Sequence, residues 1–408
     1  MDRERRTWSG RVEWSPARVA RPGSEAEVAE VVRAAARDGL AVRPIGSGHS
    51  SMPLVATEGV TLDLRGWAGI ERLDPERGLA TVRAGTVLAD LGAPLREHGF
   101  ALHNQGDVDV QTVAGAIGTG THGTGPALGS LSSAVAGARL VTAAGEVVHC
   151  DAARDPDLFE VARLSLGSAG VITAVTLRVV PAYNLHERVW FEDATSCLAR
   201  LDERVAATRH YELWWYPGRD LCEQKSLHPT DAEPDPLPDR KRERIDHSYR
   251  VFPTVRDLRF QELEYAVPAG AGPACLAAIR AVVLERFPDL QWPVEYRTVA
   301  ADDVWLSPAH RRASVTISVH QDHELPYERL FRECEAVFGA FGGRPHWGKV
   351  HWLGPETLAP LYPRWADFWA TRDRIDPEGR FLNDHLRRLA GVDPVLGDGV
   401  DRWRHPAW

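Results

Sequence analysis

Two glycine-rich stretches carry much of the polar chemistry visible in this 408-residue chain. Residues 42–51 read VRPIGSGHSS, with His49 in the middle of the turn, and residues 118–123 read GTGTHG. Each stretch offers backbone N–H groups free of bulky side chains, together with serine or threonine hydroxyls. Such turns form concave nests for anionic oxygens. Two nests can hold the two phosphates of a dinucleotide, although ordinary turns remain an alternative for both.

Neither stretch satisfies the Rossmann dinucleotide fingerprint. In the first, Ser51 stands where the sixth position requires glycine. The second matches G-x-G-x-x-G, but the following residues, TGPALGSLSS, are too rich in glycine and proline to open a helix. A nicotinamide cofactor on a Rossmann fold is therefore not expected.

A carboxylate and a guanidinium lie two residues apart in the sequence VEYRT. Side chains at alternate positions of a strand point to the same face, so Glu295 and Arg297 can meet one substrate together. A surface ion pair is the common alternative for such a spacing.

The elements around the first stretch alternate between helix and strand. A capping box at Ser24 predicts a helix that ends at Gly39, and residues 59–64 and 79–87 are strand-like. A helix is expected from Leu88 to Gly99, although Pro94 interrupts its pattern. After residue 180 the predicted strands are rich in aromatic residues, so we place a domain boundary there.

Composition narrows the possible functions. The net charge is −9, and no concentrated basic face is visible, so nucleic acid is not an expected partner. No apolar run is long enough to span a membrane, and a cytoplasmic location is expected. The five cysteines form no C-x-x-C pair, and no metal site is expected. The pairs His346/His351 and His320/His323 lack a recognised zinc-ligand frame, which leaves a zinc hydrolase as a distant alternative.

Several sequence blocks together resemble the vanillyl-alcohol oxidase/p-cresol methylhydroxylase (PCMH) superfamily of FAD-linked oxidases, within its sugar-1,4-lactone oxidase and alditol oxidase branch. The blocks are IGSGHS, NQGDVDVQTVAGAIGTGTHGTG (104–125), VEYRTVAADDVWLSP (294–308), GRPHWGKVH (343–351) and DPEGRFLN (376–383). They occur in family order over most of the chain, and the stretch 184–291 matches poorly.

The resemblance implies an α+β fold with a two-subdomain, PCMH-type FAD-binding domain (1–180). An α+β substrate-binding cap domain with a large antiparallel sheet (181–350) would follow, and a C-terminal segment (351–408) would pack back on the FAD domain. In the family, the histidine at the position of His49 is bonded to the 8α-methyl of the flavin. The further FAD-binding residues implied are Ile45, Gly46, Ser47, Gly48, Ser50, Ser51, Gly106, Thr112, Gly115, Thr119, Gly120, Thr121, His122, Gly170, Val171 and His346.

The same resemblance places Glu295, Arg297, Lys349, His320 and Asp107 beside the substrate. It implies that Lys349 lies near the reacting hydroxyl and that Gly106 leaves dioxygen a path to the reduced flavin. His320 can accept the hydroxyl proton, because imidazole titrates in the right range, or can only hydrogen-bond the substrate.

The expected reaction is oxidation of a sugar-1,4-lactone such as L-gulono-1,4-lactone by hydride transfer to flavin N5. Dioxygen would be the acceptor and hydrogen peroxide the product. The alternatives that stay open are an alditol oxidase acting on a polyol, a dehydrogenase with another electron acceptor, and a flavin-binding protein without catalysis.

Overall fold

The computed structural model describes residues 4–235, 242–254 and 258–392. The expected mixed α+β architecture is confirmed, and its largest element is an eight-stranded antiparallel sheet. Among the described residues, no helix is long and apolar enough to cross a membrane.

Two sheets make up most of the N-terminal part of the chain. A three-stranded parallel sheet has the order β3-β5-β4, and a five-stranded antiparallel sheet has the order β10-β9-β11-β7-β6. Their strands are β3 (Arg18–Ala20), β4 (Val42–Ile45), β5 (Val60–Asp63), β6 (Ile70–Asp74), β7 (Leu79–Arg83), β9 (Val135–Val141), β10 (Val147–Asp151) and β11 (Val171–Arg178). Two short pairs complete this part: β1 (Arg5–Arg6) with β2 (Glu13–Trp14), and β8 (Phe100–Ala101) with β12 (Val180–Pro181).

The N-terminal helices follow the local capping signals. Helix α1 (Glu25–Arg37) begins where the Ser24 hydroxyl accepts from the Glu27 N–H. The single helix expected from Leu88 is wrong: a 3-10 turn (Leu88–Asp90) precedes a short helix, α2 (Gly92–Glu97). The break at Leu91 gives Pro94 a place in the first turn of α2, where its missing N–H costs no helical hydrogen bond. Helices α3 (Val113–Thr119) and α4 (Pro156–Arg163) complete the set.

The large sheet lies in the C-terminal part, with the order β16-β13-β15-β14-β18-β19-β17-β20 and every neighbour antiparallel. Its strands are β13 (Asn184–Asp193), β14 (His210–Tyr216), β15 (Leu221–Thr230), β16 (Glu243–His247), β17 (Phe260–Pro268), β18 (Val294–Val299), β19 (Ser314–Asp322) and β20 (Arg344–Pro345). The accompanying helices are α5 (Ala194–Ala199), α6 (Leu201–Ala207), α7 (Ser248–Val251), α8 (Gly272–Arg286), α9 (Glu328–Ala340), α10 (Pro355–Leu361), α11 (Trp365–Ile375) and α12 (Asp384–Leu389).

The two faces of the large sheet differ in chemistry. On one face, Leu263, Ile317 and Val319 pack with α8 and α9 in a buried apolar cluster. The residues between them in β17, β18 and β19 are charged or polar, and a cavity is lined by Glu262, Glu264, Glu295, Arg297 and His320. Alternation along the strands thus separates a core from a polar surface that is also buried.

Three large buried clusters hold the chain together. The first joins the N-terminal sheets with α1, the second joins the large sheet with α8 and α9, and the third joins α4 and the loop around Trp305 with α10, α11 and α12. Phe381, near the end of the described chain, belongs to the first cluster. The domain limits near residues 180 and 350 stay predictions.

Candidate active site

Two cavities meet at the loop that carries His49. The cofactor cavity runs along this loop and α3, and the charged cavity, of about 420 Å³, lies against the polar face of the large sheet. His49, Ser50, Gln111 and Thr119 line both of them. A molecule that occupies the first cavity can therefore reach into the second at this point.

Glycines dominate the wall of the cofactor cavity. It is lined by Gly46, Gly48, Gly85, Gly115, Gly118, Gly167 and Gly170. A Cβ on Gly46 would lie 2.1 Å from Oγ1 of Thr112, so the loop and the start of α3 approach too closely for any side chain there. Gly48 has a φ of 70°, in the left-handed region where glycine is strongly favoured.

The chemistry of this wall fits a dinucleotide. Of the described residues that line the cofactor cavity, none is an aspartate or a glutamate, and the hydroxyls of Ser47, Thr112 and Ser165 are among the polar groups present. Exposed backbone amides without carboxylates suit the anionic pyrophosphate of FAD. The second glycine-rich stretch ends a helix instead of opening one, because Gly120 is the left-handed C-cap of α3. This geometry explains why its flanks lack the Rossmann signal.

His49 is held in place from two sides. Its ring stacks on the indole of Trp8, with 5.0 Å between centroids and 19° between planes. The backbone N–H of Trp8 donates to the Gly48 carbonyl at 2.8 Å, and the backbone N–H of Ser51 donates to the Gly348 carbonyl at 2.7 Å. Burial, with a contribution from Lys349, lowers the pKa of His49 to about 4, so its imidazole is neutral at physiological pH.

The charged cavity is lined by buried ionisable side chains from the neighbouring strands β17, β18 and β19. Glu295 and Arg297 lie on one face of β18 as their spacing predicts, with Oε2 and Nη2 3.1 Å apart. Both side chains are at least nine-tenths buried, so the surface ion pair is wrong for them. Arg297 also lies 3.4 Å from Oε2 of Glu264 on β17. Burial would lower the pKa of Arg297, but Glu295 and Glu264 raise it above its usual value.

A second ion cluster lies at the Asp107 side of the cavity. Lys225 on β15 forms salt bridges with Glu212 on β14 and, at 3.5 Å, with Asp107. Burial and the charge of Asp107 raise the pKa of Glu212 to about 8. Burial would lower the pKa of Lys225, but the two carboxylates raise it, so the ammonium stays charged.

His122 and His346 both lie near the carboxylate of Glu264, which also contacts Arg297. Nε2 of His122 lies 2.7 Å from Oε1 of Glu264, and its Nδ1 lies 2.8 Å from the Gly123 carbonyl. In His346, Nδ1 accepts from the Gly348 N–H at 3.0 Å, and burial lowers the pKa to about 4. Neutral His346 therefore carries its proton on Nε2. Burial alone would raise the pKa of Glu264, yet His122 and His346 bring it well below its usual value.

Lys349 and His320 meet at a carboxylate that the sequence motifs do not include. The Lys349 ammonium bonds to Glu262 on β17, and Nε2 of His320 lies 3.7 Å from the other oxygen of that carboxylate. Nδ1 of His320 lies 2.8 Å from the Pro293 carbonyl, so this nitrogen donates and Nε2 holds the lone pair of the neutral ring.

The structure brings most of the site residues expected from the sequence together at these cavities. Those lining the charged cavity are His49, Ser50, Ser51, Gly106, Asp107, Thr119, Thr121, His122, Glu295, Arg297, His320, His346 and Lys349. Those lining the cofactor cavity are Ile45, Gly46, Ser47, Gly48, His49, Ser50, Thr112, Gly115, Thr119 and Gly170. Gly120 and Val171 line neither: Gly120 caps α3, and Val171 is buried at the start of β11.

Ten further residues line the charged cavity and were not among the site residues expected from the sequence: Trp8, Val108, Asp109, Val110, Gln111, Thr254, Phe260, Glu262, Glu264 and Gly348. The two glutamates had a signal, because they alternate with Leu263 and Tyr265 in the strand FQELEY. Such alternation usually marks a solvent-exposed face. Only the neighbouring strands show that this face is buried.

Three groups of buried histidines and carboxylates bring possible metal ligands within 4.8 Å of one another. They are His122/Glu264/His346, Glu262/Glu295/His320 and Asp107/Glu212/Glu295. In each group the carboxylates already form salt bridges with Lys349, Arg297 or Lys225. These cations supply the positive charge that a metal ion would bring.

Comparisons with known proteins agree with this geometry. The profile of the family described as D-arabinono-1,4-lactone oxidase matches residues 175–241 and 236–389, and that of an FAD binding domain matches residues 16–151. The chain is 37% identical to L-gulono-1,4-lactone dehydrogenase of Mycobacterium tuberculosis (strain ATCC 25618 / H37Rv), over 94% of this chain and 98% of the relative.

Two other relatives differ in their names. L-gulonolactone oxidase of Mus musculus is 29% identical over 94% of this chain and 97% of its own. Alditol oxidase of Streptomyces sp. (strain IKD472 / FERM P-14339) is 31% identical over 94% of this chain and 98% of its own. Among solved structures, cholesterol oxidase from B. sterolicum superposes with a TM-score of 0.82 at 18% identity, covering 96% of this chain and 97% of that chain, which shows the shared fold.

Proposed function

The chain belongs to the sugar-1,4-lactone oxidase family of FAD-dependent oxidoreductases, and from this premise we propose that it oxidises a ring hydroxyl of a sugar-1,4-lactone similar to L-gulono-1,4-lactone. The observation that carries the proposal is the charged cavity, which opens onto the cofactor cavity at His49. It combines an imidazole, an ammonium group and a buried carboxylate–guanidinium pair within one small space.

FAD, when bound, supplies the two-electron acceptor for the hydride that leaves the carbinol carbon. The residues that would hold it are the glycine-rich loop at 45–51, Thr112, Gly115 and Gly170 for the dinucleotide, with His122 and His346 near the flavin. We propose that His49 is the covalent anchor. Its lowered pKa leaves a ring nitrogen lone pair available for bond formation, and Trp8 fixes the plane of the ring.

The residues of the charged cavity accept the proton, stabilise the developing charge and bind the substrate. Nε2 of His320 accepts the hydroxyl proton, because the Pro293 carbonyl holds the ring proton on the other nitrogen. The Lys349 ammonium stabilises the negative charge that develops on the hydroxyl oxygen. Glu295 and Arg297 bind the hydroxyls and the carbonyl of the lactone ring, and Asp107 binds a hydroxyl on the opposite side.

We propose dioxygen as the final acceptor, with hydrogen peroxide as the product. Gly106 lines the charged cavity and adds no side chain there. A Cβ on Gly106 would lie 2.8 Å from the His122 carbonyl oxygen, so the close approach of two backbone segments also favours glycine at this position. A dehydrogenase with a different acceptor uses the same reductive half-reaction.

An alditol oxidase is the second candidate, favoured by the relative of that name and by the polar wall of the cavity. Anaerobic mixing of the purified holoprotein with L-gulono-1,4-lactone or with xylitol tests both candidates. Faster bleaching of the visible flavin absorbance by the lactone is expected. Bleaching by xylitol alone would reverse the order, and bleaching by neither would overturn both. Admitting air and measuring peroxide then tests the acceptor.

A further inference from the structure

Glu262 is a buried carboxylate placed between two groups of the proposed chemistry. It is 5% exposed, lies on β17 beside Glu264, and lines the charged cavity. One oxygen bonds to the Lys349 ammonium, and the other lies 3.7 Å from Nε2 of His320. Burial alone would raise the pKa of Glu262, but Lys349 and His320 lower it, so the carboxylate is charged at neutral pH.

The segment with Lys349 is fixed to the same strand by its backbone. The His346 N–H donates to the Glu264 carbonyl at 2.9 Å, and the Val350 N–H donates to the Glu262 carbonyl at 2.9 Å. The backbone around Lys349 is therefore already anchored, and the carboxylate of Glu262 directs its long side chain. Without that carboxylate, the flexible stem of the lysine has several rotamers available.

The charged groups around His320 come from three directions. Glu262 faces it from β17, and Glu295 on β18 has an oxygen within 4.8 Å of it. Lys349 lies beyond Glu262, and Glu264 is the next residue on the same face of β17. Arg297 pairs with Glu295, whereas Glu262 binds Lys349 through one oxygen and presents the other to Nε2 of His320, where it can stabilise an imidazolium.

We propose that Glu262 is a positioning residue for alcohol oxidation, which holds Lys349 toward the substrate hydroxyl and stabilises the protonated form of His320. This inference rests on the proposed function. In the step itself, the hydroxyl O–H bond breaks and an N–H bond forms at Nε2 of His320. The O–H electron pair becomes the carbonyl π bond as hydride leaves the carbon to the FAD of the proposed function. The new imidazolium lies beside a carboxylate, which lowers the free energy of the charged product.

Glu262→Gln tests this role, because it removes the charge while keeping the size of the side chain. The rate of anaerobic flavin reduction is expected to fall about 10²-fold. The acid limb of its pH profile is expected to move to lower pH by about one unit, because an opposite charge nearby favours the protonated histidine. Glu262→Asp should restore the position of this limb while recovering only part of the rate.

A second measurement does not depend on turnover. In protein with isotope-labelled histidine, the NMR signal of His320 is assigned by its loss in His320→Gln and then titrated with pH. The midpoint in Glu262→Gln is expected about one unit below that of the parent protein. Glu223→Gln is the matched control, because Glu223 bonds to Tyr216 on the same sheet and does not line the charged cavity. It should leave both the midpoint and the rate unchanged.

The outcomes separate the two proposals. An unchanged His320 midpoint and an unchanged pH profile in Glu262→Gln would overturn the role of Glu262, whatever the substrate is. If the parent protein is reduced by neither lactone nor polyol, the proposed function fails, and the NMR midpoint still decides the coupling between Glu262 and His320. If the acid limb of the pH profile shifts equally in Glu262→Asp and Glu262→Gln, the rate loss would indicate a packing role for Glu262 instead.

Discussion

The cofactor cavity and the charged cavity adjoin at His49, yet they are built by opposite means. The first is a wall of glycines and backbone amides with no carboxylate among the described residues that line it. The second is lined by paired ions on the strands of one sheet, together with residues from several loops. A backbone wall can bind an anion of constant shape, whereas a wall of paired ions can hold hydroxyl groups and move a proton. Substitutions in the cofactor cavity should therefore reduce FAD binding, whereas substitutions in the charged cavity should reduce the rate of flavin reduction.

The largest expected effect comes from Gly46→Ala in the cofactor cavity. The new Cβ would overlap Oγ1 of Thr112, which lies 2.1 Å away, so the loop has to move by more than an ångström. Overpacking of this kind costs about 1–3 kcal/mol. We expect protein with little or no bound FAD, measured as flavin absorbance per mole of purified chain. Gly66→Ala is the control, since its Cβ meets nothing within 4 Å. Full FAD content in Gly46→Ala would contradict the assignment of this wall.

Lys349→Ala should leave the cofactor wall intact and damage the charged one. The rate of anaerobic flavin reduction is expected to fall about 10³-fold, because the ammonium no longer stabilises the developing charge and Glu262 loses its partner. FAD content should stay normal, and stopped-flow absorbance measures the rate. Lys349→Arg keeps the charge and should lose less activity. Equal reduction rates in Lys349→Ala and the parent protein would remove Lys349 from the chemistry.

His49→Ala tests the residue that the two cavities share. The FAD should become removable by acid precipitation, and flavin reduction should slow about tenfold, because the protein no longer fixes or tunes the ring through this side chain. The measurement is the partition of yellow colour between pellet and supernatant. Colour that stays in the pellet of His49→Ala would show that another residue holds the flavin.

The smallest effect is expected outside both cavities, at His351. This histidine is 3% exposed, neither ring nitrogen has a hydrogen-bond partner among the described residues, and burial lowers its pKa to about 3. A folded-state pKa below the unfolded value means that stability is lost as pH falls from about 6.5 toward 3. His351→Leu should reduce this acid slope by up to about 1.4 kcal/mol per pH unit. Urea unfolding at several pH values measures it, and an identical slope would show that His351 is not the group that titrates.

The same contrast explains how much of the molecule the sequence predicts. The cofactor wall is assembled largely from contiguous stretches, so IGSGHS and the segment ending in THG already contain half of its residues. The sheet architecture also follows from strand alternation and from the family resemblance. Gly120 lies in the second stretch and Val171 was implied by the family resemblance, and the structure places both outside the two walls.

The charged wall is harder to predict because each strand contributes only one or two residues. Glu212 lies opposite Lys225 and Arg297 only because β14 pairs with β15 and β18 in one particular register. Likewise, Glu262 meets His320 through the register of β17 and β19. Register is a long-range property, and a shift of one residue would turn each of these ions to the apolar face. Pairing of ions across strands therefore becomes visible only once the sheet is known.

Arg43 lines the cofactor cavity and is held in part by a residue near the end of the described chain. Its guanidinium donates to the carbonyls of Leu54, Leu166, Gly167 and Phe381, and the Val42 N–H donates to the Arg380 carbonyl at 2.9 Å. A buried guanidinium needs these acceptors, and the last of them is synthesised more than three hundred residues after Arg43. The Arg43 side of the cofactor cavity is therefore complete only once the segment around Phe381 has folded against it. Loading with FAD is expected to require this segment.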